Sequence, residues 1–195
     1  EVNVDLIRSA LPPLSDRLRP DGLEEFADAI MTTDTRRKVS SRAVSFENGT
    51  VTITGVTKGA GMIHPNMATT LCFVMTDAAI PPRILQGMLR EAADVSYNRL
   101  SVDGDTSTND MILLLANGAA KVKAAATDRE RFRSALISVL QDLARQIARD
   151  GEGARKLVTI EVMGARSDAA AVKVARAIGN SPLVKTAIAG ADANW

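Results

Sequence analysis

The chain has 195 residues, 46% of them hydrophobic and 24% charged, a balance that excludes the disordered, collagen-like and coiled-coil classes. Its 24 Lys and Arg against 23 Asp and Glu leave a net charge of +1, scattered along the chain, so it carries no electrostatic footprint of a nucleic-acid or anionic-membrane partner. Aromatic residues are 3% of the total, too few for a base-stacking platform, and the core falls to aliphatic side chains.

The first residues are proline-rich, with Pro12, Pro13 and Pro20. Leu23, Phe26, Ala27 and Ile30 then recur at helical spacing behind Asp21, the expected cap. Two β-rich segments, 38–46 and 51–58, flank Glu47-Asn48-Gly49-Thr50 and read as a hairpin whose Asn-Gly suits a turn with positive φ. Residues 69–76 form a short continuous apolar run, the pattern of a strand buried on both faces.

Pro81-Pro82 opens a helix carrying Ile84, Leu85, Met88, Leu89 and Ala92 on one face. Residues 111–116 are the longest apolar run and read as a second buried strand, and they are far shorter than the ~18 residues a membrane helix needs. Thr127-Asp128-Arg129-Glu130 has the form of a capping box ahead of the longest helix, whose apolar face runs from Phe132 to Ile147 and which Gly151 is placed to stop. Val158, Ile160 and Val162 alternate as a strand, and residues 167–178 read as a further helix ending at Gly179. Helices interleaved with a hairpin and buried strands predict an α/β fold of the α+β type, a layered mixed sheet covered by helices. Length predicts one domain over residues 1–165 and the start of a smaller second domain over 166–195. The first residue is Glu1 instead of methionine, which sets the expectation of a piece of something longer.

Chemistry concentrates in three polar stretches. Lys58-Gly59-Ala60-Gly61 leads through His64 to Thr69 and Thr70 at the mouth of a strand. A phosphate-binding loop would end in Gly-Lys-Ser/Thr and enter a helix, so phosphate is disfavoured. Two readings remain: a hairpin exit with threonines chosen for β propensity, or a reactive turn. Threonine becomes nucleophilic without histidine if the chain is cut just before it, because its own α-amino group then serves as base. Asp103-Gly104-Asp105 to Asp110 resembles a calcium loop but lacks glycine and glutamate at the required places, leaving backbone capping by its own side chains. Asp150-Gly151-Glu152-Gly153 presents a carboxylate between glycines, either as a solvated helix stop or toward a ligand amine. A lone cysteine, Cys72, excludes an intrachain disulfide, and a lone histidine, His64, excludes a multi-histidine metal site. No metal is expected, and a cytoplasmic location fits.

MTTDT (31–35), KGAGMIHPNMATTL (58–71), SVDGDTSTND (101–110), DGEGARK (150–156) and NSPLVKTAIAGADANW (180–195) together resemble the glutamate N-acetyltransferase, or ornithine acetyltransferase, family of arginine biosynthesis. The resemblance covers nearly the whole chain and corresponds to the central portion of a family member. It implies a self-processing enzyme that breaks its own Ala68–Thr69 bond and uses Thr69 as catalytic nucleophile. Such an enzyme moves acetyl from N-acetylornithine to glutamate by a ping-pong route through acetyl-threonine, with acetyl-CoA as a possible donor and no cofactor. Substrate-binding positions carry over to Thr32, Lys58, Thr69 and Glu152, and the two self-cleavage chains are expected to form a hetero-oligomer with small-molecule substrates as the other partners. The family's Thr-Gly oxyanion element and its C-terminal substrate residues fall outside this stretch, and Thr70 stands where the family more often has methionine. The alternatives are an N-terminal-nucleophile amidase or aminopeptidase, and an inactive uncleaved precursor.

Overall fold

The computed structural model describes residues 2–64, 70–105, 107 and 109–192. The sheet is built from β1 (Lys38–Phe46), β2 (Gly49–Lys58), β3 (Leu71–Thr76) and β4 (Met111–Ala116), in the order β1-β2-β3-β4. β1, β2 and β3 are antiparallel neighbours, while β4 runs parallel to β3. A parallel neighbour needs a crossover, which α3 (Pro82–Asp94) and a short 3-10 turn at Tyr97–Arg99 supply. In the β1–β2 hairpin the positive angle falls on Gly49, at φ +148°, where an added Cβ would lie 2.8 Å from Val122.

One face of the sheet carries the core. Val51, Ile53, Gly55 and Thr57 of β2 and Cys72, Val74 and Thr76 of β3 alternate inward, against Phe132, Leu136, Val139, Leu140, Leu143 and Ile147 of α4 (Ala126–Arg149), all fully buried. Gly55 lets this helix approach, since a Cβ there would meet Leu143 at 2.7 Å and Val139 at 3.1 Å. The Gln146 side chain docks on edge strand β1 by accepting the Val39 N–H at 3.1 Å and donating to its carbonyl at 3.0 Å. On the opposite face α2 (Leu23–Ala29) sets Phe26 edge-on to Phe73, centroids 5.3 Å apart.

The proline-rich start, to which the sequence assigns no element, is helical: α1 (Val4–Asp16) runs through Pro12 and Pro13, capped by Asn3, whose side chain accepts the Leu6 N–H at 3.0 Å. Several expectations are corrected. Asp21 does not cap α2, whose N-cap is Gly22; Asp21 pairs with Arg19 instead. α4 begins before Thr127, so Asp128 takes the capping role, accepting the N–H groups of Ala125 and Glu47 at 3.0 Å each. β4 is half-exposed rather than buried, with Met111, Leu113 and Leu115 37–49% accessible, because it is an edge strand with only its Ile112 and Leu114 side on the core. Residues 158–162 form no strand: Leu157 and Val158 are exposed, and no described strand pairs with them.

The expected last helix is α5 (Asp168–Gly179), and α6 (Pro182–Gly190) follows it. They join the rest of the chain through Arg176 on the Asn98 carbonyl at 2.9 Å, Ser101 on Asn180 at 2.7 Å and Lys185 on the Val102 carbonyl at 2.6 Å. No helix among the described residues is long and apolar enough to cross a membrane.

Candidate functional site

The polar stretches meet at one end of the sheet, where β2 ends and β3 and β4 begin. Lys58, Leu71 and Met111 are cross-strand neighbours in one row. Because Thr57 turns toward the core, Lys58 points to the other face, where the turn after α2 places Thr32. The Lys58 ammonium lies 3.5 Å from the Thr32 hydroxyl. Ala60 and Gly61 continue the loop beneath Glu152, whose N–H donates to the Ala60 carbonyl at 2.8 Å. A Cβ on Gly61 would stand 2.9 Å from the Glu152 carboxyl carbon, so the glycine is what lets that carboxylate lie on the loop. Thr32 and Glu152 thus lie against the two ends of the loop that Lys58 opens. Ala68 and Thr69 lie outside the described residues.

Both described shoulders of that stretch are held by the Asp103–Asp110 loop. Asp103 accepts the N–H of Met62 at 2.6 Å and of Ile63 at 2.8 Å, and Val102 donates to the Ile63 carbonyl at 2.8 Å. Asp110 accepts the Thr70 N–H at 2.9 Å. Burial pushes the Asp110 carboxyl above its ordinary value, against the Thr70 N–H and the nearby Lys58 charge, which pull it down. The capping expected inside this loop is present, since Asp105 donates to Asp103 at 3.1 Å. The larger role, bonding the Gly-rich loop some 40 residues earlier in the chain, is invisible to local spacing.

Beneath the loop lies a feature that sequence reasoning missed. Lys38, 1% exposed, reaches Asp34 at 2.6 Å and Asp150 at 2.5 Å, whose side chains are 0% and 2% accessible. Asp34 also accepts the Gly59 N–H at 2.7 Å and the Thr32 N–H at 3.1 Å. Asp150 accepts both the N–H of Thr35, at 2.9 Å, and its hydroxyl. Burial opposes ionisation of both carboxyls, yet these donors prevail: Gly59, Lys38 and Thr32 hold Asp34 below its ordinary value, and Lys38 and Thr35 do the same for Asp150. The signal was present in part, as Asp34 and Asp150 sit inside two of the five motif blocks.

His64 stands with its Nδ1 3.5 Å from the Asn180 amide nitrogen and joins no triad with a described serine and aspartate. Cys72 is buried among Tyr97 and Thr57, and burial pushes its thiol up to about 11, the setting of an inert thiol.

A four-stranded sheet with one helical layer on its core face, whose strand ends carry a Gly-rich loop, a cation, a carboxylate and threonines, defines a mixed α/β domain built around a polar site. The chain belongs to the ArgJ family, whose family model matches residues 1–195. It is 53% identical over 192 residues to the arginine biosynthesis bifunctional protein ArgJ of Agrobacterium fabrum, covering 95% of this chain and 46% of that protein. The protein of the same name from Desulfotalea psychrophila is 51% identical over 197 residues, covering 100% of this chain and 50% of its own length. The chain therefore spans about half the length of the curated relatives it matches. The crystal structure of arginine biosynthesis bifunctional protein ArgJ from Bacillus halodurans superposes with a TM-score of 0.60 at 52% identity, covering 63% of this chain and 59% of that one.

Proposed function

We propose that this chain supplies the reactive centre of an acetyltransferase of arginine biosynthesis, moving acetyl from N-acetylornithine to glutamate. The observation that carries the reading is a Gly59–Gly61 loop with the Lys58 ammonium, 3.5 Å from the Thr32 hydroxyl, at its start and the Glu152 carboxylate against Gly61 at its end, within a chain of the ArgJ family. An amino-acid substrate offers the complement, a carboxylate for Lys58 and an ammonium for Glu152, and charge-assisted hydrogen bonds are the strong kind.

The reaction begins with the chain itself. Thr69 Oγ attacks the Ala68 carbonyl carbon, the peptide C–N bond breaks, and water hydrolyses the resulting ester, leaving an Ala68 carboxylate and a free Thr69 α-amine. That amine then takes the hydroxyl proton as Oγ attacks the acetyl carbonyl of N-acetylornithine. Collapse of the tetrahedral intermediate breaks the C–N bond, and the proton leaves with the ornithine amine. The glutamate amine next attacks the acetyl ester, the C–Oγ bond breaks, and the hydroxyl is restored. Acetyl-CoA fits the first half-reaction as an alternative donor, and no step requires a cofactor. The two self-cleavage chains remain together as a hetero-oligomer, and the single cysteine of the chain suits a reducing cytoplasm.

The test is denaturing mass spectrometry of the family-length protein. Two fragments, the second beginning Thr69-Thr70-Leu71, are expected, with none from Thr69→Ala; a fragment beginning at Thr70 overturns the assignment of the nucleophile. Acetyl release to water in the presence of glutamate would instead point to an amidase.

A further inference from the structure

Buried ion pairs are weak contributors to stability, since well-packed apolar residues of the same volume often do as well. Three buried charges kept together therefore call for another reason, and their attachments give one. Asp34 binds the amides of Thr32 and Gly59, the latter next to Lys58. Asp150 binds Thr35 and lies two residues before Glu152, whose own N–H returns to Ala60. The contacts close a ring from residues 32–35 through 59–60 to 150–152, with the Lys38 ammonium at its centre. Thr32 and Glu152 lie two residues from Asp34 and Asp150, and Lys58 is next to Gly59, whose amide Asp34 binds. Arg36, 3.7 Å from Asp150, also faces the ring, and its side chain is 72% exposed.

We propose that Lys38, with Asp34 and Asp150, is a positioning centre that fixes the spacing of Thr32, Lys58 and Glu152 and so the register in which an amino-acid substrate is held. It rests on the reading of those three residues as substrate contacts. Lys38 touches no substrate; it acts through the two carboxylates and the amides they bind. A methionine in its place keeps the volume and removes the charge that draws the two aspartates together, so the three loops lose their common anchor.

The experiment compares the wild-type family-length protein with Lys38→Met and with the double variant Lys38→Met/Asp34→Asn, which keeps the net charge of the triad at −1. Two readouts are taken: amide hydrogen exchange, and steady-state kinetics with N-acetylornithine and glutamate. In a folded variant the amides of Thr32, Thr35 and Gly59 should exchange faster together while those of β2 and α4 keep their protection. kcat/KM should fall roughly 10- to 100-fold, the scale of an ångström-sized misplacement, with most of the loss in KM. Unchanged KM, or faster exchange spread evenly over the whole chain, overturns the proposal by making the triad a stability element alone. Failure of both variants to fold does the same. Loops that loosen together in a protein whose wild type transfers no acetyl support the positioning centre and overturn the substrate reading instead.

Discussion

At Gly61 a single methyl group would reach the Glu152 carboxylate. Its φ is not in the left-handed region, so Gly61→Ala has no backbone cost and acts only by displacing that carboxylate. The expected outcome is a several-fold rise in KM for the amino-acid substrate with unfolding free energy within about 0.5 kcal/mol of wild type, the range of substitutions away from packed features; steady-state kinetics beside urea denaturation checks both. The aspartates give pH predictions of opposite sign. Asp34 and Asp150 are held below the ordinary value, so the stability they contribute is complete above the unfolded-state value of ~3.9 and is lost as pH falls through the folded-state value. Asp110 is raised, so its contribution is complete below that unfolded value and is lost as pH rises through its folded one. Urea midpoints between pH 7 and pH 3 should show an acid loss that shrinks in Asp34→Asn, whereas Asp110→Asn should leave the acid limb in place and lessen the loss as pH rises above the unfolded-state value.

Elements were legible where one face meets the core. β1, β2, β3, α3 and α4 follow their periodicities because their partners, chiefly α4 on the sheet, lie within this chain. β4, a continuous apolar run, is paired on one edge by β3 and leaves one face exposed, and residues 158–162 alternate with no described strand beside them; a pattern states only that a face is apolar, never what covers it. Capping failed for a related reason: Thr127 and Asp128 both have capping chemistry, and the choice depends on Glu47, 81 residues away, whose amide binds Asp128. Of the site, Thr32, Lys58 and Glu152 were legible as motif positions, while the Lys38 triad joins residues up to 112 apart and leaves no local period. The two faces also differ in energy. Leu140→Ala, at 0% exposure, should cost about 2–5 kcal/mol in a denaturant titration of this chain. Leu113→Ala, at 38% exposure, should cost under ~1 kcal/mol, because its outward side chain loses little burial.

At the scale of the whole molecule, the 195 residues cover about half the length of the ArgJ relatives. The proposed mechanism needs oxyanion donors that the family resemblance places upstream of this stretch, and losing even one such donor costs about 100- to 1000-fold in kcat. The chain by itself should therefore transfer acetyl at least that much more slowly than a family-length protein assayed beside it. Comparable rates would mean that an oxyanion hole exists within these residues. The exposed Met111, Leu113 and Leu115 should also make the isolated chain bind an apolar dye more strongly than the longer protein.

The long separation between the hairpin and the helix that covers it sets an order of events during synthesis. β1 and β2 can pair within microseconds of leaving the ribosome, yet Glu47 waits for Asp128, 81 residues later, which at ordinary elongation rates is roughly 4–16 s. Asp150 and Glu152 emerge later still, and only then can Asp150 reach Lys38 and Glu152 settle on the Gly59–Gly61 loop. A nascent chain thus carries Lys58 and the Gly59–Gly61 loop out of the ribosome well before Asp150 and Glu152 can brace them. If the proposed self-cleavage requires the braced loop, it waits for residues 150–152, and a ribosome stalled before them should hold an uncut chain.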